Sequence, residues 1–206
     1  MDPTGRHGVL VLDRDAVHRL LPMADCIPAM ESALAELARG EAEVPVRLVL
    51  HAGPGNGDVA LMPAELRSSN ALGYKVVTVF PGAREQGEAT HQALVALLQP
   101  DTGRLLAFLD ATATTTLRTA AVSAVATRYL ARTDAKVLTI LGSGVQAEAH
   151  LASIPLVRDV EEIRIWARRP DEAERIAMGH RAFAPLVRAV ADARDAVEGA
   201  DIIVTA

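Results

Sequence analysis

Two patterns of apolar and polar positions divide the chain. Residues 137–141, "VLTIL", form an almost unbroken apolar run, which predicts a strand buried on both faces of a parallel sheet. A second such run, "EIRIWA", covers 162–167, and helical spacing with Pro170 in its first turn covers 170–178. Residues 185–190 predict a third strand, Asp192 a helix N-cap, and "DIIVTA" at 201–206 a fourth strand. Four strands thus alternate with three helices within about 70 residues, the signature of a Rossmann-type, doubly wound α/β sheet.

The earlier part of the chain follows another rule. A short strand at 9–12 precedes helical spacing at 16–21 and 27–37, with Gly40 placed to end the second helix. Strands at 46–50, 59–62 and 72–80 are separated by polar or glycine-rich connections, notably "HAGPGNGD" at 51–58. Runs at 93–98 and 104–109 flank "QPDTG", which predicts a hairpin. The alanine-rich stretch 114–132 reads as one long helix with threonines available to cap it. The expected organisation is an α+β domain over 1–113, a connecting helix over 114–132, and a doubly wound α/β domain over 133–206.

Composition narrows the function classes. A formal charge of −5 leaves no basic footprint for nucleic acid. The single cysteine, Cys26, rules out an intrachain disulfide framework and fits a reducing, cytoplasmic setting. No run of 18 apolar residues is present to span a membrane, and the N-terminus lacks the charge-then-apolar layout of a signal peptide. No His, Cys or carboxylate group has metal-ligand spacing, so no metal is expected.

The chemistry concentrates after the first buried strand. Gly142-Ser143-Gly144-Val145-Gln146-Ala147 reads G-x-G-x-x-A, in which alanine replaces the third glycine of the dinucleotide fingerprint. The first glycine permits a sharp turn, the second lets backbone approach a pyrophosphate, and the helix that follows offers unpaired N–H groups to the phosphates. A plain strand-to-helix turn is the competing reading of the motif alone; the alternating elements after it favour the cofactor. An NAD site would place an acid at the end of the second strand. Here that strand ends in Trp166-Ala167-Arg168-Arg169, while Glu161 and Glu162 stand at its opposite end. Two guanidiniums suit the 2′-phosphate of NADP, with NAD as the alternative and solvated surface charges as the reading without a ligand.

Taken together, "LMPAE", "LGYKVV", "PDTGRLLAFLDA", "RTAAVSAVAT", "LGSGVQAEAH" and "IRIWARR" follow one another in an order that resembles the ornithine cyclodeaminase/mu-crystallin family, on its ketimine reductase side. The resemblance implies a homodimer, a nicotinamide cofactor and a small amino or imino acid substrate, with 1–113 as the substrate-binding and dimerisation domain and 133–206 as the dinucleotide-binding Rossmann domain, incomplete at its C-terminus. It also implies that Arg47, Lys75 and Arg118 hold and polarise that substrate. Guanidiniums grip a carboxylate bidentately, which suits Arg47 and Arg118, and a lysine beside a reacting C=N stabilises charge or moves a proton, which suits Lys75. Gln146 belongs to the family fingerprint, and its amide is placed to orient cofactor or substrate. The expected activity is hydride transfer between NADPH and a small α-imino or α-keto acid. The alternatives are ornithine cyclisation and a crystallin-like binder with little turnover.

Two departures from the family qualify this. Where the cyclodeaminase branch carries an acid before "LMP", this chain has Ala60; Asp58 lies on the same strand face about 7 Å back and could serve only if the strand were displaced. The chain also stops at Ala206, in the fourth strand, whereas the family continues. A fragment of a longer protein is therefore expected, with the outer edge of that strand prone to pair with another chain.

Overall fold

The computed structural model describes residues 8–53, 57–180 and 186–206. Residue 185, the expected start of the third strand, lies outside the described residues, as do 54–56 of the glycine-rich connection. The chain forms two compact units, Met1–Leu21 with Ser32–Thr115 and Pro22–Glu31 with Thr116–Ala206.

The first unit is a seven-stranded sheet. Its strands are β1 (Leu10–Leu12), β2 (Ala42–Glu43), β3 (Leu48–Ala52), β4 (Gly57–Leu66), β5 (Ala71–Val79), β6 (His91–Leu98) and β7 (Leu105–Asp110), in the order β1-β7-β6-β5-β4-β2 with β3 also on β4. Only β1 on β7 is parallel; the other pairs are antiparallel. The expected hairpin is present: Gly103, with φ 67°, donates to the Gln99 carbonyl at 2.8 Å and closes the turn between β6 and β7. Pro63 sits inside β4, where β3 pairs as far as Leu61 and β2 begins at Glu65. A residue without an N–H falls in that gap and so interrupts neither ladder.

Helix α1 (Arg14–Leu20) is capped by Asp13, whose carboxylate accepts from the Ala16 N–H at 2.8 Å. Helix α2 (Met23–Ala38) ends as Gly40 turns to φ 73° and the Glu41 N–H donates to the Glu36 carbonyl at 2.9 Å, the expected glycine stop. Helix α3 (Ala111–Leu130) starts three residues before the expected position. Its cap is not a threonine but Asp110, the last residue of β7, which accepts from the Ala113 N–H at 2.7 Å. Thr114 is one turn inside the helix and its hydroxyl donates back to the Asp110 carbonyl at 2.8 Å.

The second unit carries β8 (Val137–Leu141), β9 (Glu162–Trp166), β10 (Leu186–Ala189) and β11 (Ile202–Thr205) in the parallel order β10-β9-β8-β11, with α4 (Val145–Ser153), α5 (Pro170–Gly179) and α6 (Ala193–Val197) between them. This is the 3-2-1-4 order of a Rossmann-type half-sheet. Leu138, Ile140, Ile163 and Ile165 are fully buried, as strands covered on both faces require. Ala120, Ala121 and Ala124 of α3 are likewise without exposure. These small side chains let α3 approach α4 closely enough for the Ser153 hydroxyl to reach the Ala120 carbonyl at 3.1 Å. Arg158 closes the end of α3, its guanidinium donating to the carbonyls of Arg128, Ala131 and Arg132 at 2.7–3.1 Å.

Asp201 ties the start of β11 to that of β8. Its carboxylate accepts from the backbone N–H groups of Lys136 at 2.8 Å and Val137 at 3.0 Å and pairs with Arg132. The backbone donors first, and then Arg132, hold this carboxyl below the usual carboxylate range. A carboxyl that is harder to protonate folded than unfolded stabilises the fold at neutral pH, and this contribution disappears as pH falls through the lowered folded value. Asp201→Asn is therefore expected to lower the melting temperature at pH 7, with the gap to the parent protein closing as pH falls from about 5 to about 2. Thermal denaturation across that range checks it; a gap independent of pH contradicts it.

Candidate functional site

The turn after β8 is built by two glycines with different reasons to be glycine. Gly142 has φ 151°, and a Cβ there would stand 1.8 Å from the carbonyl oxygen of Ala206, beyond β11. Its own N–H donates to the Trp166 carbonyl at 2.8 Å, while Ala206 donates to the Leu141 carbonyl at 2.9 Å. The first glycine is thus fixed by three neighbouring strand ends. Gly144, the N-cap of α4, is extended at φ −85°, and a Cβ on it would meet nothing within 4 Å. Nothing among the described residues forbids a side chain at 144. The open space beside this backbone is what a pyrophosphate needs in order to reach the N–H groups at the start of α4.

That space belongs to a cleft of about 660 Å³ at the carboxyl ends of the parallel strands, lined by Gly142, Ser143, Gly144, Trp166, Arg168 and Arg169 among others. Of the sequence-derived cofactor residues, Gly142, Ser143, Gly144, Arg168 and Arg169 therefore line one concave site, and Val145 and Gln146 are not part of its lining. Val145 is the first residue of α4 and is exposed. Gln146 follows it; its Oε1 is buried and has no hydrogen-bond partner among the described residues. His150, one turn on, is a packing residue: Nδ1 lies 2.7 Å from the Gln146 carbonyl and Nε2 2.8 Å from the Ser123 hydroxyl. Because a carbonyl only accepts, Nδ1 carries a proton.

The two arginines are not equivalent. Arg169 donates to the Glu172 carboxylate at 2.9 Å, and the same carboxylate receives Arg175 at 3.1 Å, which also bonds Glu148 of α4 at 3.0 Å. Arg168 is exposed, lines the cleft and has no ion-pair or hydrogen-bond partner among the described residues. One guanidinium is committed to the helix that follows, and the other is available to a ligand.

In the first unit, Arg47 immediately precedes β3 and Lys75 lies within β5. Met62 pairs with Lys75, and Lys75 with Val95. Leu48 pairs with Leu61 in the last row of the β3–β4 ladder, and Arg47 lies one residue outside it. Arg47 is exposed and Lys75 half-buried. Arg118 lies in the second unit, exposed on α3.

The displaced-strand possibility for Asp58 is resolved by the ladder. β4 pairs with β5 without interruption from Asp58 to Leu66, Ala60 falls opposite Val77, and Asp58 falls opposite Val79. Asp58 is therefore about 13 Å along the strand from the Lys75 row. Its carboxylate is also engaged, 2.6 Å from Nδ1 of His51 across the β3–β4 pair. Sequence reasoning missed this His–Asp pair, whose two members flank the glycine-rich connection. No three His, Cys, Asp or Glu side chains among the described residues stand together as a metal site, and no helix among them is long and apolar enough to cross a membrane.

The comparisons with known proteins bear on this geometry. The model of the ornithine cyclodeaminase/mu-crystallin family matches residues 8–206. The chain belongs to the ornithine cyclodeaminase/mu-crystallin family. Within it, this member is 38% identical over 182 residues to the ketimine reductase mu-crystallin of Rattus norvegicus, an alignment covering 87% of this chain and 57% of the relative. Among solved structures it is similar to the Thermococcus litoralis Δ1-pyrroline-2-carboxylate reductase in complex with NADH and L-proline, at 35% identity and a TM-score of 0.86, over 96% of this chain and 61% of the other. An archaeal alanine dehydrogenase dimer with bound NAD gives 33% identity and a TM-score of 0.85, over 96% and 60%. The chain thus spans about three fifths of the length of the family members it matches.

Proposed function

We propose that this family member is an NADP-dependent oxidoreductase that reduces a small α-imino acid, or an α-keto acid with ammonia, to the amino acid. The observation that carries the reading is the cleft at the β8–α4 turn, where an open backbone at Gly144 and an uncommitted guanidinium at Arg168 lie together. Gly142, Ser143, Gly144 and Val145 would hold the pyrophosphate, with Gln146 beside them, and Arg168 would hold the 2′-phosphate. The cofactor supplies the hydride. Arg47 and Arg118 grip the substrate carboxylate and so fix the reacting carbon, while Lys75 stabilises charge or delivers a proton at the C=N nitrogen.

Three relatives support the class: a ketimine reductase, a pyrroline-carboxylate reductase bound to NADH and L-proline, and an alanine dehydrogenase bound to NAD. Two of these hold the cofactor without the 2′-phosphate, so the preference for NADP rests on Arg168. Arg168→Ala is expected to weaken NADPH by about 1.5–3 kcal/mol and NADH by far less, since it removes a charge-assisted bond to a group only NADPH carries. Equal losses for both cofactors contradict the assignment. Steady-state oxidation of NADPH with Δ1-pyrroline-2-carboxylate, and separately with pyruvate plus ammonia, tests the activity; no oxidation with either overturns it.

We also place a second copy of the chain on the first unit. Leu48, Leu50, Leu61 and Leu94 fall on one face of its sheet by register, and all are exposed. An apolar sheet face of this kind suits a homodimer, the form in which the alanine dehydrogenase relative is described.

A further inference from the structure

Two guanidiniums, Arg168 and Arg169, line the cleft at the carboxyl ends of the parallel strands, and one carboxylate separates their roles. Glu172, in the first turn of α5, accepts from Arg169 through Oε1 at 2.9 Å and from Arg175 through Oε2 at 3.1 Å. Arg175 in turn donates to Glu148 of α4 at 3.0 Å. Glu172 is thus held by a cation on each oxygen. Its side chain is 24% exposed, against 72% for Arg169, so the carboxylate is the anchored member of the pair and Arg169 the one that can exchange partners.

An ion pair this exposed is weak, a factor of at most about five in an equilibrium. A phosphate monoester carries about two negative charges at neutral pH, and a guanidinium can meet its oxygens with two parallel bonds. Arg169 therefore faces two anions whenever a 2′-phosphate occupies the cleft. Leaving Glu172 does not strand that carboxylate, because Arg175 stays on its other oxygen. We infer that Glu172 sets the margin by which the cleft prefers NADPH over NADH, by competing with the ribose 2′-phosphate for Arg169. NADH has no group there to receive the guanidinium and gains nothing from the exchange. An amide at position 172 weakens the competition, since a neutral acceptor holds a guanidinium less strongly than a carboxylate does. Glutamine serves as well as glutamate at the third position of a helix, so α5 is kept.

The inference rests on the reading of the cleft as an NADP site, and its test separates the two. Calorimetric titration is expected to show Glu172→Gln binding NADPH about two- to fivefold more tightly than the parent protein, with NADH unchanged. The same substitution should give no such gain in a protein that already carries Arg169→Ala. Glu172→Ala, which offers Arg169 no acceptor at all, carries the same expectation should glutamine still hold the guanidinium. No gain in either variant, an equal gain for NADH, or a gain that persists without Arg169 would overturn the inference. Equal binding of both cofactors by the parent protein would remove the NADP reading, while a gain confined to NADPH and lost with Arg169 would still establish the role of Glu172.

Discussion

Replacing Lys75 by methionine is expected to lower the rate of imine reduction by about two to four orders of magnitude, the range over which a positioned acid–base group acts. Methionine keeps the unbranched, apolar stem, so packing against Met62 and Val95 is conserved while the ammonium is lost. Lys75 belongs to the first unit and the cofactor cleft to the second, so NADPH affinity should stay within about twofold if the lysine acts on the reacting C=N rather than on the fold. Stopped-flow measurement of a single turnover, alongside a cofactor titration, separates the two effects. A rate close to that of the parent protein would remove Lys75 from the chemistry.

Gly142→Ala should act on structure and cofactor together. The new methyl would stand 1.8 Å from the Ala206 carbonyl oxygen, at a φ of 151° that side chains seldom adopt. Relief requires β8 and β11 to part, which endangers the Ala206-to-Leu141 hydrogen bond that continues their ladder. A loss of about 2–4 kcal/mol in unfolding free energy follows from a backbone clash and strain of this kind, together with failure to bind NADPH. Gly144→Ala makes the informative control, because its methyl meets no protein atom. It should fold with close to parent stability and still bind NADPH poorly. Urea denaturation of the two variants checks the contrast; similar stability for both would show that the first glycine is not fixed by its neighbours.

The second unit was legible because its signals are local. A buried strand, a glycine turn and a helix follow one another within residues 137–153, and their relative positions need no information from elsewhere in the chain. The same locality explains the start of α3. Threonine and aspartate both cap helices, and choosing Asp110 over Thr114 requires knowing where β7 ends. What could not be read directly from spacing depends on pairing. Asp58 reaches His51 only because the β3–β4 register sets them opposite each other. The inequality of Arg168 and Arg169 was within reach, since Glu172 stands three residues after Arg169 on the opening turn of α5, where such pairs meet.

The central claim is that the cleft at the β8–α4 turn holds NADPH, and the chain carries a built-in reporter of it. Trp166 is the only tryptophan and it lines that cleft. Titration of the protein with NADPH, following Trp166 emission and its transfer to the reduced nicotinamide, should give saturable quenching, with NADH requiring a higher concentration for the same effect. Absence of saturable quenching by either cofactor, or quenching unaltered in Arg168→Ala and Gly144→Ala, would contradict the account.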